Sequence, residues 1–144
     1  MQKFESHSSN ETEKIAEQFA KELEGGEIIA FKGGLGMGKT CFVRGMAKGL
    51  DYKGDVTSPT FAIVNEYHGG RLNLYHFDMY RIENWEDLYS IGFFDYLSLG
   101  GVLAIEWSEN IYSALEDNTI LVEITQTGDN SRIITIKKLF EVSR

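Results

Sequence analysis

One stretch decides the predicted fold: Gly33-Gly34-Leu35-Gly36-Met37-Gly38-Lys39-Thr40. A glycine, four residues and then Gly-Lys-Thr is the spacing of a phosphate-binding loop. Glycine reaches backbone angles that other residues avoid, so successive N–H groups can point inward and surround an anion. Lys39 can reach the β- and γ-phosphates of a nucleotide, and the Thr40 hydroxyl can bind Mg²⁺. The stretch therefore predicts a nucleotide site.

The residues on either side of this loop supply the structural context that the motif requires. Before it, 27–31 is a short, mostly apolar run of the kind found in buried parallel strands. After it, apolar residues recur at helical spacing: Phe42, Val43, Met46, Ala47 and Leu50. A helix that begins near Gly38 would direct the positive end of its dipole at the phosphates. The order strand, glycine loop, helix thus favours a phosphate cradle over an ordinary glycine turn.

Composition limits the classes of protein to which the chain can belong. Its 144 residues predict a single domain, 1–144, with a hydrophobic core. The net charge of −8 argues against broad nucleic-acid binding, because an acidic surface repels phosphate backbones. The sequence has no long apolar run, no apolar signal core and only one cysteine, Cys41. These three features together favour a cytoplasmic protein without membrane contact. We expect a monomer or a weak oligomer.

Two further stretches have helical character. The first begins at Asn10, predicted as the N-cap with Glu13 three residues later, and ends at Gly25-Gly26. The second covers 84–97 with a break at Gly92, and four of its side chains are predicted to face inward: Trp85, Leu88, Tyr89 and Ile91.

The remaining strand signals form two hairpins and one buried strand. The hairpins pair 62–67 with 72–77 and 119–125 with 132–136, and the buried strand is 102–105. Together the elements predict an α/β protein with a three-layer fold like that of P-loop NTPases. Its central sheet is largely parallel, with antiparallel hairpins and flanking helices. Ligands of such sheets bind at the carboxyl ends of the strands.

Two carboxylates follow predicted strand ends, where a nucleotide site needs an acidic partner for Mg²⁺. Glu106 follows a fully apolar run, and Asp78 follows a run that His76 interrupts. Such carboxylates can bind the metal, hold its water molecules or orient an attacking water. We expect Thr40 and Glu106 to contact Mg²⁺, with Asp78 as a further candidate ligand. The three histidines are not at metal-ligand spacing, so we predict turn or surface positions for them.

A second segment, Thr57-Ser58-Pro59-Thr60-Phe61, has the hydroxyl groups of a loop that could sense the γ-phosphate, and an ordinary proline turn is the alternative. Arg44 and Arg81 could neutralise phosphate charge or pair with surface carboxylates. Trp85 and Trp107 are predicted to be packing residues, with Trp107 next to the site.

Four sequence blocks in this order resemble the TsaE (YjeE) family: GGLGMGKT, SPTFAIVNEY, YHFDMYRI and IEWSEN. The resemblance runs from about the first helix to the last strand. It implies a P-loop α/β fold, binding of ATP or ADP with Mg²⁺, and slow ATP hydrolysis. It also implies action with the TsaB and TsaD proteins, which transfer threonylcarbamoyl to adenosine 37 of tRNA.

The resemblance also implies roles for individual residues. It implies catalytic roles for the phosphate lysine Lys39 and for the essential carboxylates Asp78 and Glu106, with Ser58 and Thr60 in a switch segment. Residues expected to contact the nucleotide are Gly33, Gly34, Leu35, Gly36, Met37, Gly38, Lys39, Thr40, Cys41, Ser58, Thr60, Thr12 and Arg132. Thr12 or Glu11, near the first helix, and Arg132, near the C-terminus, would flank the adenine. Met37 stands where an alanine is usual, at a variable position of the loop.

Two other functions stay open at this point. A small-molecule phosphotransferase with the same loop would need an acceptor pocket and usually an arginine-bearing lid, and no such insertion is visible in the sequence. A nucleotide-dependent binding module would bind ATP without useful turnover.

Overall fold

The computed structural model describes residues 1–33, 38–56 and 63–139. The elements in chain order are β1 (Gln2–Ser6), α1 (Ser9–Lys21), β2 (Ile28–Gly33), α2 (Lys39–Gly49), β3 (Val64–Tyr67), β4 (Leu74–Asp78), α3 (Trp85–Ser90), α4 (Phe93–Leu97), β5 (Val102–Glu106), a 3₁₀ segment (Ser108–Ala114), β6 (Ile120–Gln126) and β7 (Arg132–Lys138).

The strands form one seven-stranded sheet in the order β1-β7-β6-β2-β5-β4-β3. The four central strands, β6, β2, β5 and β4, are parallel to one another. The β3–β4, β6–β7 and β1–β7 pairs are antiparallel. The prediction of a mixed α/β fold with a largely parallel centre and antiparallel hairpins is therefore confirmed.

Helices cover both faces of this sheet, and each interface has its own hydrophobic core. On one face, the apolar stripes of α1 and α2 pack on side chains such as Ile29, Phe31 and Val122. On the other face, α3, α4 and the 3₁₀ segment pack on alternate side chains, among them Phe77 and Ile105. Successive residues of a strand point to opposite faces, so one strand serves both cores. Among the described helices, none has the length and apolar character to cross a membrane.

The N-terminal region differs from the prediction in two respects. The cap of α1 is Ser8 rather than Asn10, and its side chain accepts a hydrogen bond from the Glu11 N–H at 3.1 Å. The Glu11 carboxylate in turn accepts from the His7 N–H at 2.7 Å, so the capping pair begins two residues earlier. Strand β1 was not predicted. Only Ser6 of this edge strand is fully buried, so the segment has almost no hydrophobic signal.

The 84–97 stretch is broken at Gly92, as predicted, because this residue has a left-handed backbone with φ of 77°. Leu88 faces inward, but the inward orientation predicted for Trp85 and Tyr89 is wrong: their exposed fractions are 48% and 68%. The two rings pack on Phe94 of α4 instead. The break changes the direction of the chain. One helical periodicity drawn through 84–97 therefore cannot predict which side chains face inward on both sides of Gly92.

Candidate functional site

The start of α2 provides the first part of the site. Gly38 is its N-cap, with a φ of 83°, and as a glycine it brings no side-chain acceptor to the N–H groups of the first turn. Those N–H groups and the helix dipole favour an anion at this position. Lys39 follows directly and is only 4% exposed. The first turn of α2 therefore combines backbone N–H donors with the buried Lys39 side chain.

Trp107 covers the Lys39 side chain. The Lys39 Nζ atom lies 5.7 Å from the centre of the Trp107 ring, within the range of a cation–π contact. Trp107 has a left-handed backbone with φ of 59°, an uncommon conformation for a bulky residue. Strained backbone of this kind is concentrated at functional sites. Tyr80 packs edge-on against the same indole, with ring centres 4.9 Å apart, so the ring that covers Lys39 is itself supported.

The second part of the site is a pair of carboxylates at the ends of two neighbouring parallel strands. Asp78 of β4 is opposite Glu106 of β5 in the sheet register. Side chains two residues apart on a strand lie on the same face, so Asp78 and Glu106 share a face of the sheet with Leu74, Val102 and Ala104. Helices α1 and α2 cover this face. The two carboxylates therefore project on the same side of the sheet as the helix that begins at Lys39.

Backbone contacts hold this pair of strand ends together. The Met79 N–H donates to the Glu106 carbonyl at 3.0 Å, which continues the β4–β5 pairing past the last strand residue. The Tyr80 N–H donates to the Asp78 carboxylate at 3.0 Å. Asp78 thus has one oxygen fixed by its own turn, and in the described part of the chain the other oxygen has no hydrogen-bond partner.

His76 is the site residue that the sequence reasoning misplaced. A turn or surface position was predicted, yet the side chain is completely buried. Its Nε2 atom lies 2.7 Å from Oε2 of Glu106. The spacing to Asp78 is the sequence signal for its position. His76 lies two residues before Asp78 on the same strand, so the two side chains lie on the same face of the sheet.

The oxygen donors at this position suit Mg²⁺. Thr40 lies in the first turn of α2, and Asp78 and Glu106 lie at the strand ends. Mg²⁺ prefers oxygen ligands and is commonly bound by one or two carboxylates together with phosphate oxygens and water. Within the described ranges no group of three or more His, Cys, Asp or Glu side chains is arranged for a metal. The oxygens of Thr40, Asp78 and Glu106 suit a metal that phosphate oxygens and water also bind.

A polar cavity of about 240 Å³ adjoins the N-terminus of α2. Its lining brings together four residues that were predicted to contact a nucleotide, Thr12, Gly38, Cys41 and Arg132. The other lining residues are Ser8, Ser9 and Asn130. The Nε atom of Arg132 is buried and has no hydrogen-bond partner among the described residues, so the cavity contains a donor available to a ligand.

Six of the predicted residues lie outside the described residues: Gly34, Leu35, Gly36, Met37, Ser58 and Thr60. Arg44 is on α2 but lies 3.8 Å from the Glu13 carboxylate, which agrees with the alternative of surface pairing. A wider, mostly apolar groove of about 330 Å³ lies between β1 and α1, and it shares no lining residue with the cavity beside α2.

Comparisons with known proteins identify the family. The fold and the site define a mixed α/β protein with acidic and basic groups gathered at the carboxyl ends of its parallel strands. Residues 6–134 match the family model described as threonylcarbamoyl adenosine biosynthesis protein TsaE. This chain belongs to the TsaE family.

Individual relatives are similar in sequence to this chain over most of their length. The tRNA threonylcarbamoyladenosine biosynthesis protein TsaE of Treponema pallidum is 39% identical over 131 residues, which are 91% of this chain and 96% of the relative. The protein of the same name from Bacillus subtilis is 37% identical over 133 residues, which are 92% of this chain and 83% of the relative. The crystal structure of Bacillus subtilis YdiB superimposes with a TM-score of 0.74 at 33% identity, covering 96% of this chain and 85% of that one.

Proposed function

We propose that this chain is a Mg²⁺-dependent ATP-binding and ATP-hydrolysing protein with a P-loop fold. We further propose that it serves threonylcarbamoyladenosine synthesis on tRNA together with TsaB and TsaD. The role in this modification is taken from the family and from the names of its relatives. One observation carries the nucleotide assignment: the buried Lys39 at the start of α2 and the Asp78–Glu106 pair lie on the same side of the sheet.

Each group has a definite task in this proposal. The glycine loop and the first turn of α2 bind the phosphates through N–H groups, and Lys39 neutralises the β- and γ-phosphate charge. The base occupies the cavity beside α2, with Thr12 and Arg132 on its walls. Thr40 and Glu106 would hold Mg²⁺ or its water ligands, and the metal would offset the charge that develops during phosphoryl transfer.

Hydrolysis by the isolated chain is expected to be slow. Asp78 can orient a water molecule, but the sequence offers neither an evident arginine finger nor an evident water-positioning glutamine. An arginine finger contributes roughly 10³–10⁵ in rate where it is present. Contact with TsaB and TsaD would supply or order the missing group. The Ser58–Thr60 segment is the candidate for this ordering, and it lies outside the described residues.

Calorimetric titration of the purified chain with ADP and with ATP, with and without Mg²⁺, tests the nucleotide site. Lys39→Ala should weaken ATP binding by roughly 10- to 150-fold, because hydrogen bonds to charged groups contribute about 1.5–3 kcal/mol. Lys48→Ala is the matched control on the same helix, since Lys48 is exposed and pairs with Glu13 at 2.9 Å. A folded Lys39→Ala protein with wild-type affinity would show that α2 does not begin at a phosphate site.

A further inference from the structure

His76 occupies a position where the surrounding sequence would favour an apolar side chain. The residues on either side in β4, Tyr75 and Phe77, are buried on the opposite face, and His76 itself has no exposed surface. In the register it lies opposite Ala104, whose small side chain leaves room for the imidazole. Burial of a polar ring is unfavourable unless it forms hydrogen bonds. The position therefore calls for an explanation beyond packing.

The hydrogen bond to Glu106 provides that explanation. An ionised carboxylate only accepts hydrogen bonds, and beside such a carboxylate the Nε2 atom of His76 is the donor. The Nδ1 atom is buried and has no partner in the part of the chain that the structure describes. The imidazole thus directs Nε2 at one oxygen, Oε2 of Glu106. No hydrogen bond to the other carboxylate oxygen is present among residues 1–33, 38–56 and 63–139, and this oxygen could face a cation or its water ligands.

We propose that His76 is a positioning residue for Glu106 that holds the carboxylate in the orientation required for Mg²⁺, an inference that rests on the proposed function. A glutamate side chain has three rotatable bonds, and fixing it before the metal arrives removes an entropic cost from metal binding. Hydrogen bonds to the outer side of metal-binding carboxylates act in this way, and their loss typically costs roughly 10- to 100-fold in metal affinity or activity.

The same hairpin contains a natural comparison. His68 and Glu66 form a second histidine–glutamate pair with an Nε2–Oε1 distance of 2.9 Å. This pair is exposed, with side-chain exposures of 56% and 41%, whereas the values for His76 and Glu106 are 0% and 14%. The two pairs have the same chemistry, but only the buried one involves a carboxylate of the site. Substitution of His68 therefore controls for the general effect of changing a histidine in this hairpin.

The experiment uses three substitutions at His76 and one at His68. His76→Leu removes the donor at similar volume, and His76→Gln places an amide N–H near the position of Nε2. His76→Asn retains polarity but is too short to reach Glu106. His68→Leu is the control. For each folded protein, calorimetry measures the affinity for ADP without metal and for ATP with Mg²⁺. Electron paramagnetic resonance then measures the binding of Mn²⁺, used as the metal probe, to the ADP complex.

We expect His76→Leu and His76→Asn to weaken Mn²⁺ binding and the Mg²⁺-dependent gain in ATP affinity by roughly 10- to 100-fold. Their affinity for metal-free ADP should stay close to that of wild type, because the side chain of His76 contacts Glu106, whose proposed task is to hold the metal and not the ADP phosphates. His76→Gln should recover most of the loss, and His68→Leu should match wild type. If His76→Leu does not fold, the contrast between His76→Gln and His76→Asn still decides the question.

Two results would overturn the inference while the proposed function stands. The first is wild-type metal affinity in a folded His76→Leu or His76→Asn protein. The second is an equal loss of metal-free ADP binding, which would mark a purely structural role. If the wild-type chain binds ATP without any effect of Mg²⁺, the metal site of the proposed function fails, and the inference falls with it.

Discussion

Replacing Gly45 by alanine tests the close packing that places α1 beside the start of α2. A Cβ atom at this position would lie 2.2 Å from the Glu13 carbonyl oxygen and 2.7 Å from the Ala16 Cβ atom. Ordinary contact begins at 3.4 Å, so α1 would have to move away by about 1.2 Å. The opposing atom is backbone, which cannot rotate out of the way as a flexible side chain could.

The expected cost follows from two opposing effects. Overpacking of a core costs about 1–3 kcal/mol, and a clash with backbone belongs at the upper end of that range. Alanine favours a helix over glycine by about 1 kcal/mol, which offsets part of the cost. The net destabilisation is about 2 kcal/mol. For a domain of this size, that corresponds to a decrease in Tm of roughly 4–8 °C, at about 2–4 °C per kcal/mol.

Thermal unfolding followed by circular dichroism measures this change, and nucleotide titration provides a second readout. Thr12 in the cavity wall directly precedes Glu13, so a displaced α1 should also weaken nucleotide binding. Gly128→Ala is the control, because its added Cβ atom would be no closer than 3.7 Å to any neighbour. A Gly45→Ala protein that is as stable as wild type, or more stable, would refute the packing described between α1 and α2.

Two further predictions concern ionisable groups. Glu106→Ala should weaken ATP binding in the presence of Mg²⁺ more than it weakens metal-free ADP binding. Asp78→Ala should lower the rate of hydrolysis at least as much as it weakens nucleotide binding. Equal, small effects on nucleotide binding and on hydrolysis would place these residues outside the metal site. The hydrogen bond that the Tyr96 hydroxyl donates to Glu66 raises the pKa of Tyr96 to about 12, so this bond is intact below the ordinary pKa of 10.0 and is lost as the pH rises through 12. Glu66→Gln should return the pKa of Tyr96 toward 10.0 in an ultraviolet titration, and an unchanged value would contradict this assignment.

The centre of the fold could be predicted because its signals are local. The apolar runs before Asp78 and Glu106 are continuous or nearly so, and the structure has these residues as the last ones of β4 and β5. The α2 helix begins one residue after Gly38, where the motif indicated a start. Strands that are buried on both faces, and helices with one apolar stripe, are encoded within a few consecutive residues.

The features that were missed depend on distant partners. His76 is buried because Glu106, 30 residues later, accepts its hydrogen bond and because Ala104 leaves space. Strand β1 exists because β7, at the other end of the chain, offers a free edge to pair with. The exposure of Trp85 and Tyr89 has a nearer cause: the predicted break at Gly92 redirects α4 so that Phe94 meets their rings, and the sequence does not give the direction of that turn. The causes for His76 and β1 are absent from the local pattern of hydrophobic residues.

Phosphate release measured with and without purified cognate TsaB and TsaD is the most direct test of the proposed function. The account predicts slow release by the isolated chain, a clear acceleration when both partners are added, and loss of that acceleration in Lys39→Ala. It also predicts tighter association with the partners in the presence of ATP, because coupling between two ligands is reciprocal. A folded cognate complex that neither binds this chain under any nucleotide condition nor changes its rate of ATP hydrolysis would contradict the account.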